Sequence, residues 1–183
     1  MRPLTLKPWR ENHGGDACTV TAGIRLGQDS LYRFCFRVLG AVGAFRVPGP
    51  AEPARRDGLW QHTCFEVFVM CADGSYCEFN FSPSTQWSAY RFDGYRRAMT
   101  GLPMDKAPDI QTTATPDSLV LEASVGLHGL VSNQRAARNR VAIAAVMERA
   151  DGQLDYWALA HPADKPDFHH PDGFIATLPD NGG

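Results

Sequence analysis

The sequence predicts an all-β protein, an antiparallel β-sandwich of about nine or ten short strands with minor helical turns. Three observations support this fold class. Short runs of alternating apolar and polar residues recur along the chain, and turn-forming Gly, Pro, Asp and Asn residues separate them. Long segments with helical periodicity are missing. At 183 residues the chain is long enough for a substantial core, and we expect one domain spanning residues 1–183.

The N-terminal part predicts three strands. A short alternation around Leu4 and Leu6 indicates an edge strand. Residues 18–26 and 31–39 alternate on either side of a polar turn, which is typical of a hairpin, with Phe34 and its alternate neighbours facing the core. The long segment that follows, residues 40–58, contains three prolines; a loop of this length in a compact domain is usually functional or mobile.

The central stretch, residues 59–95, is the densest run of aromatic and β-branched residues and holds most of the polar groups able to meet a ligand. It predicts strands at residues 62–70, 75–82 and 87–93. Beyond it, residues 109–115 and 118–125 predict one hairpin, and residues 141–149 and 153–159 predict another. Residues 130–139 are interpreted as one or two helical turns, and residues 161–174 form a tail dense in Pro, His and Asp.

Alternation assigns the faces of the central strands. Phe79 and Phe81 should point into the core, while Glu78 and Asn80 point to the opposite face. A two-residue turn at Asp73-Gly74 would bring an apolar residue opposite a polar one, so we expect a longer or bulged turn. Pairing core residues with core residues then places Glu66 on the same face as Glu78 and Asn80.

The next hairpin extends this surface. If its loop has four residues, Arg91 lies opposite Glu78, and Trp87 shares the face with them. Two carboxylates, an amide, a guanidinium and an indole would then occupy one surface. A sugar site combines such planar hydrogen-bonding groups with an aromatic platform that covers the C–H side of the ring. The aromatic candidates for that platform are Trp60, Trp87, Tyr90 and Tyr95.

Composition narrows the choice of partner. Hydrophobic residues make up 44% of the chain, charged residues 21%, and the net charge is −2. Without a basic excess, neither nucleic acid nor a membrane is an expected partner. The five cysteines fit neither a zinc site nor a disulfide framework, and we interpret Cys64, Cys71 and Cys77 as small buried residues. The N-terminus lacks a secretory signal, so a complete chain would be cytoplasmic; its oligomeric state stays open.

Three segments carry a resemblance to a known family: WQHTCFEVFV, YCEFNFSPSTQWSAYRFDGYR and WALAHPADKPDFHHPDGF. In this order they resemble the bacterial DOMON-like domain that is related to family 9 carbohydrate-binding modules. The resemblance extends from about residue 59 to the tail. It implies an immunoglobulin-like sandwich from a superfamily that binds sugars in some members and haem in others. Function has to be argued from the site, because a shared fold does not transfer it.

Together these features predict a non-catalytic domain that binds a small ligand, above all a saccharide or sugar-containing metabolite. Trp87 would be the platform, and His62 and His161 would donate from the rim. The remaining predicted ligand-binding residues read the hydroxyl groups: Glu66, Glu78, Asn80 and Arg91. No cofactor and no metal site is expected, because the His and Asp residues of the tail fit no metal-binding template.

Other interpretations remain open. The polar residues could simply form a solvated sheet face, with Glu78 and Arg91 as a cross-strand pair. Glu66 and Glu78 as diagonal neighbours would also suit an inverting glycoside hydrolase. A haem-binding redox module would need Met70 together with a tail histidine: His161, His169 or His170. A purely structural domain would instead use the loop of residues 40–58 as its partner interface.

Overall fold

A computed structural model describes residues 3–10, 12, 18–71, 73–131 and 139–179 of the chain. These residues contain twelve β-strands, three short 3-10 helices and no α-helix. The strands are β1 (Leu4–Pro8), β2 (Cys18–Leu26), β3 (Tyr32–Gly40), β4 (Cys64–Met70), β5 (Tyr76–Phe81), β6 (Trp87–Phe92), β7 (Thr100–Gly101), β8 (Asp109–Thr115), β9 (Ser118–Val125), β10 (Arg140–Glu148), β11 (Leu154–Ala158) and β12 (Ala176–Thr177). Most of the helical turns predicted for residues 130–139 fall outside the described residues.

The strands form one curled antiparallel sheet in the order β7-β6-β5-β4-β10-β11-β1-β2-β3-β9-β8, and β12 pairs with β10. The two strands added to the ten predicted ones, β7 and β12, have only two residues each. β1 pairs with β2 through Leu4 to Leu6 and with β11 through Lys7 and Pro8. Its predicted position at an edge is therefore wrong, because both of its sides are paired.

The curled sheet folds into two layers that enclose the main core. Rings from β3 meet rings from the central strands: the centroids of Phe36 and Phe65 are 4.8 Å apart, and those of Phe34 and Phe81 are 6.4 Å apart. These four side chains are essentially inaccessible to solvent. The predicted antiparallel sandwich, with these alternate residues facing inward, is confirmed.

A second hydrophobic cluster covers the outer face of the central strands. Phe68, Tyr76 and Phe92 point outward from β4, β5 and β6, and Phe174 of the tail packs on them. His169 lies edge-on against the first three rings, at centroid distances of 5.1, 5.8 and 5.1 Å. β4 and β5 are consequently buried on both faces, and the tail forms the cover.

Cys64, Cys71 and Cys77 are free and buried, as predicted. Nowhere in the described part of the chain is there a helix with the length and apolar character needed to span a membrane. Among the same residues, no group of three or more His, Cys, Asp or Glu side chains is arranged to hold a metal ion. Met70 lies opposite Tyr76 and packs against the outer cluster.

Candidate functional site

A cavity of about 480 Å³ lies over the outer face of β4, β5, β10 and β11. Small side chains in the sheet leave room for it, since Ala144 of β10 sits between Glu66 of β4 and Ala158 of β11. The cavity is lined by Trp60, Gln61, Glu66, Glu78, Phe92, Arg96, Met99, Val146, Leu154, Tyr156, Pro166, Phe168 and His169. Most of these residues are apolar or aromatic, and two carboxylates stand among them.

Glu66, Glu78 and Asn80 occupy one face, as predicted. Glu66 lies directly opposite Asn80 across β4 and β5, and Glu78 is two residues away on the same strand as Asn80. The register depends on the preceding turn: Cys71 N–H donates to the Ser75 carbonyl at 2.8 Å, which makes the connection longer than two residues. That longer turn was also expected from the sequence.

The side chains of Glu66 and Glu78 are much less exposed than polar residues on a solvated sheet face would be. Glu66 is 3% exposed and Glu78 is 5% exposed. Asn80 Nδ2 donates a hydrogen bond of 2.7 Å to Glu78 Oε1. Burial raises the pKa of Glu78 to about 7, against the opposing effects of Asn80 and Arg96. Burial, together with the charge of Glu78, raises the pKa of Glu66 well above its ordinary value.

Arg96 and Asp167 form an ion pair at the cavity wall. Arg96, in the loop after β6, donates from Nη2 to Asp167 Oδ1 at 2.9 Å, and the Tyr95 hydroxyl donates to the other carboxylate oxygen. Burial by itself would raise the pKa of Asp167, but these two donors outweigh it and lower the pKa. Loop and tail are thereby held together beside the two glutamates.

His169 links the tail to the sheet. Its Nδ1 shares a hydrogen bond of 2.9 Å with the Tyr76 hydroxyl, which also accepts from the backbone N–H of Arg96 at 3.1 Å. Its Nε2 lies 3.8 Å from Glu78 Oε2. Burial, reinforced by the charge of Arg96, lowers the pKa of His169 to about 4. The imidazole is therefore neutral at physiological pH, which makes it a hydrogen-bonding group rather than a cation.

Aromatic side chains form the walls. Trp60 packs edge-on against Tyr90 with centroids 5.8 Å apart, and the Tyr90 hydroxyl donates to Asp57 Oδ1 at 2.6 Å. On the opposite side, Tyr156 and Phe168 meet edge-on at 6.0 Å. Trp60, Tyr156 and Phe168 are half-buried, and such rings beside carboxyl groups provide a combination that suits sugar rings.

Trp87 and Arg91 do not belong to this site, and their predicted position on this face is wrong. The connection between β5 and β6 has three residues rather than four: Ser82 pairs with Gln86, and Thr85 adopts a left-handed φ of 76°. The one-residue change turns Trp87 and Arg91 to the opposite face. Trp87 then lies opposite Phe81 in the core, and Arg91 pairs with Cys77 and reaches Asp73.

The two predicted rim histidines lie outside the cavity lining. His62 Nδ1 contacts Glu148 Oε2 at 2.7 Å, and its side chain is 61% exposed. His161 packs edge-on against Trp9 at 5.2 Å, and its Nε2 contacts the Lys7 carbonyl at 2.9 Å, near β1. Of the seven predicted ligand-binding residues, Glu66 and Glu78 line the cavity, and Asn80 lies beside them, fully buried and outside the lining.

The sequence analysis did not identify most of the cavity-lining residues, among them Arg96, Tyr156, Phe168 and His169. Tyr156 carries a periodicity signal, because it alternates with the buried Trp157 on β11 and pairs with Val146. Arg96, Phe168 and His169 lie in loops, where no strand alternation indicates a direction. Trp60 was among the aromatic candidates, although Trp87 was preferred as the platform.

No protein-family model matches the chain, and no curated protein sequence matches it. Solved structures are similar in fold. A Bacteroides uniformis protein, provisionally described as carbohydrate-binding, aligns with a TM-score of 0.65 at 15% identity, over 94% of this chain and 83% of the other. A family 9 carbohydrate-binding module from Caldicellulosiruptor kristjanssonii, in complex with cellotriose, aligns at 14% identity with a TM-score of 0.47, over 84% of this chain and 71% of the other. Its structure in complex with glucose aligns at 12% identity with a TM-score of 0.44, over 84% of this chain and 73% of the other.

The similarity to the Bacteroides uniformis protein supports the sandwich fold over nearly the whole chain. At 15% identity this similarity shows the fold alone. The identity of a ligand has to be inferred from the cavity.

Proposed function

We propose that this protein binds a saccharide, without catalysing a reaction on it, in the cavity over β4 and β5. The observation that carries this proposal is the burial of Glu66 and Glu78 in a cavity with aromatic walls. A cavity of about 480 Å³ is within the range of small-molecule sites. The carboxyl groups of Glu66 and Glu78 can read several sugar hydroxyls at once, while Trp60 or Tyr156 covers the ring.

The energetics favour a polar ligand. Removing a carboxyl group from water is costly unless hydrogen bonds replace the lost hydration. Glu78 has Asn80 as a partner, whereas the carboxylate of Glu66 forms no hydrogen bond within the described residues. A hydroxylated ligand in the cavity would supply the missing hydrogen bonds. This need distinguishes the cavity from a simple packing defect, which would be lined by apolar groups.

The fold supports the same proposal. The similar Bacteroides uniformis structure is described as carbohydrate-binding, and the sequence segments around Glu66, Glu78 and the tail resemble DOMON-like domains. We therefore also propose that the chain is a DOMON-like domain related to family 9 carbohydrate-binding modules.

Isothermal titration calorimetry against a panel of mono- and oligosaccharides tests the proposal. At least one sugar should bind, and Trp60→Ala should weaken its binding while Trp60→Phe, which keeps a ring at this wall, retains most of it. Glu52→Gln, in an exposed loop away from the cavity, serves as the unaffected control. Absence of binding across the panel, or equal binding in Trp60→Ala, would contradict the proposal.

One observation favours a second candidate, a glycoside hydrolase. A general acid has to stay protonated near neutral pH, and burial raises the pKa of both Glu66 and Glu78. Turnover of aryl glycosides by the wild-type protein, lost in Glu66→Gln and retained in Glu52→Gln, would establish hydrolysis in place of simple binding.

A further inference from the structure

The carboxyl group of Glu66 has no partner in the part of the chain that the structure describes. Glu66 is 97% buried, lines the cavity and forms neither a hydrogen bond nor an ion pair with any described residue. Its cross-strand neighbour Asn80 is already engaged, because the amide donates to Glu78 and the amide oxygen faces the Cys64 thiol at 3.8 Å. A buried carboxyl group that lines a cavity and has no partner among the described residues can accept hydrogen bonds from a ligand bound there.

The cavity lining offers little positive charge to its two acidic residues. Among the described residues, Arg96 is the one cation whose charge acts on Glu66 or Glu78. Its guanidinium is already paired with Asp167 through bonds of 2.9 and 3.2 Å, and no salt bridge joins it to either glutamate in this part of the chain. His169 approaches Glu78 but is held neutral by burial. Neither carboxyl group therefore has a cation of its own among the described residues, and a cation bound beside them would favour their ionised forms.

The aromatic walls of the cavity also suit a positively charged ligand. Trp60, Tyr156 and Phe168 line the cavity, and the faces of aromatic rings attract cations. An ammonium group placed among these rings would approach the two carboxylates below them. Hydrogen bonds from a charged donor to a carboxylate are stronger than those from a neutral hydroxyl. A neutral sugar would hydrogen-bond to the carboxyl groups but would not stabilise their ionised forms as a cation would.

We infer that the ligand of this cavity is a saccharide that carries a protonated primary amine, an amino sugar whose ammonium group binds between Glu66 and Glu78. The inference rests on the proposed saccharide-binding function and adds the charge of the ligand to it. The ammonium group supplies the cation that Arg96 cannot, and the ring is covered by the aromatic walls.

Calorimetric titration with four probes separates the inference from the proposed function. The probes are glucosamine, N-acetylglucosamine, glucose and cyclohexylamine. Glucosamine should bind roughly tenfold or more tightly than N-acetylglucosamine or glucose, in line with the strength of hydrogen bonds to charged groups. N-acetylglucosamine is the matched control, since acylation removes the charge and keeps the ring. Galactosamine and mannosamine extend the comparison to other ring stereochemistries.

A charge-removing variant tests the atoms involved. Glu66→Gln keeps the shape of the side chain, and it should lower the preference for the amino sugar over its acetylated form to near unity. Glu52→Gln should leave the preference unchanged. Thermal unfolding of each variant verifies that it is folded, and Glu66→Asn gives a second neutral replacement if the glutamine variant does not fold.

The outcomes are distinguishable. Neutral sugars binding as tightly as their amino forms would overturn the inference while leaving saccharide binding in place. Cyclohexylamine binding as tightly as glucosamine would support the ammonium site and overturn the saccharide proposal. If none of the amines and sugars binds, both fail. Retention of the amino-sugar preference in folded Glu66→Gln would exclude this carboxylate as the binding group.

Discussion

His169 Nε2 lies 3.8 Å from Glu78 Oε2, although the two residues come from the tail and from a central strand. The contact matters because His169 also meets the rings of Phe68, Tyr76 and Phe92. One imidazole thus joins the cover of the outer face to an acidic group in the cavity. The protonation of both residues should therefore affect the stability of the fold.

His169 should remain neutral down to about pH 4, because burial and the charge of Arg96 lower its pKa. In the unfolded chain the ordinary pKa of 6.5 applies, so the unfolded state takes up a proton first. The folding stability contributed by a neutral His169 is full above pH 6.5 and is lost as the pH falls to about 4. Nitrogen-detected NMR titration measures the pKa directly. A His169 resonance that titrates near the ordinary value of 6.5 would contradict the prediction.

Glu78 should contribute a stability that is lost as the pH rises, whereas the contribution of His169 is lost as the pH falls. Glu78→Gln should remove this contribution. Burial raises the pKa of Glu78 from 4.5 to about 7, so the native state retains a proton that the unfolded chain has lost. Glu78 therefore contributes roughly 3 kcal/mol to the free energy of unfolding below pH 4.5. This contribution is lost as the pH rises to about 7. Urea unfolding across this pH range should show a smaller decline for Glu78→Gln than for wild type. A matching decline in the variant and in Glu52→Gln would count against the assignment.

Trp87→Ala should lower stability without acting on the cavity directly. Trp87 is 7% exposed, lies opposite Phe81 and belongs to the main core. Truncation of a buried tryptophan costs roughly 3–5 kcal/mol through lost burial and the space left behind. Chemical denaturation measures the loss in the free energy of unfolding. Trp60 is half-buried, so Trp60→Ala should lower stability less than Trp87→Ala does. It should weaken ligand binding more. The reverse order for the two tryptophans would show that the platform is Trp87.

Cys71 should ionise near neutral pH, unlike the other buried thiols. Its Sγ lies 3.4 Å from that of Cys77, and the hydrogen bond between them lowers the pKa of Cys71 to about 7 despite burial. Burial raises the pKa of Cys64 instead. Ultraviolet thiolate absorbance should therefore show a transition near neutrality in wild type that Cys71→Ser removes and Cys64→Ser preserves. Persistence of the transition in Cys71→Ser would assign it to another thiol.

The sequence by itself determined the strands and the direction of side chains within each strand. Side chains alternate along a β-strand, so the apolar set around Phe79 and Phe81 places Glu78 and Asn80 on the opposite face. The need to pair core residues with each other across the first central hairpin then brings Glu66 to the same face. These are local requirements, and periodicity alone expresses them.

Tertiary structure decided what alternation does not encode. The three-residue turn at residues 83–85 moved Trp87 into the core and Arg91 away from Glu78, since a one-residue change in register inverts every later side chain. The cavity itself depends on the loop bearing Arg96 and the tail bearing His169. Their positions follow from packing between segments distant in the chain, and that packing turned an apparently solvated face into a buried site that holds two carboxyl groups.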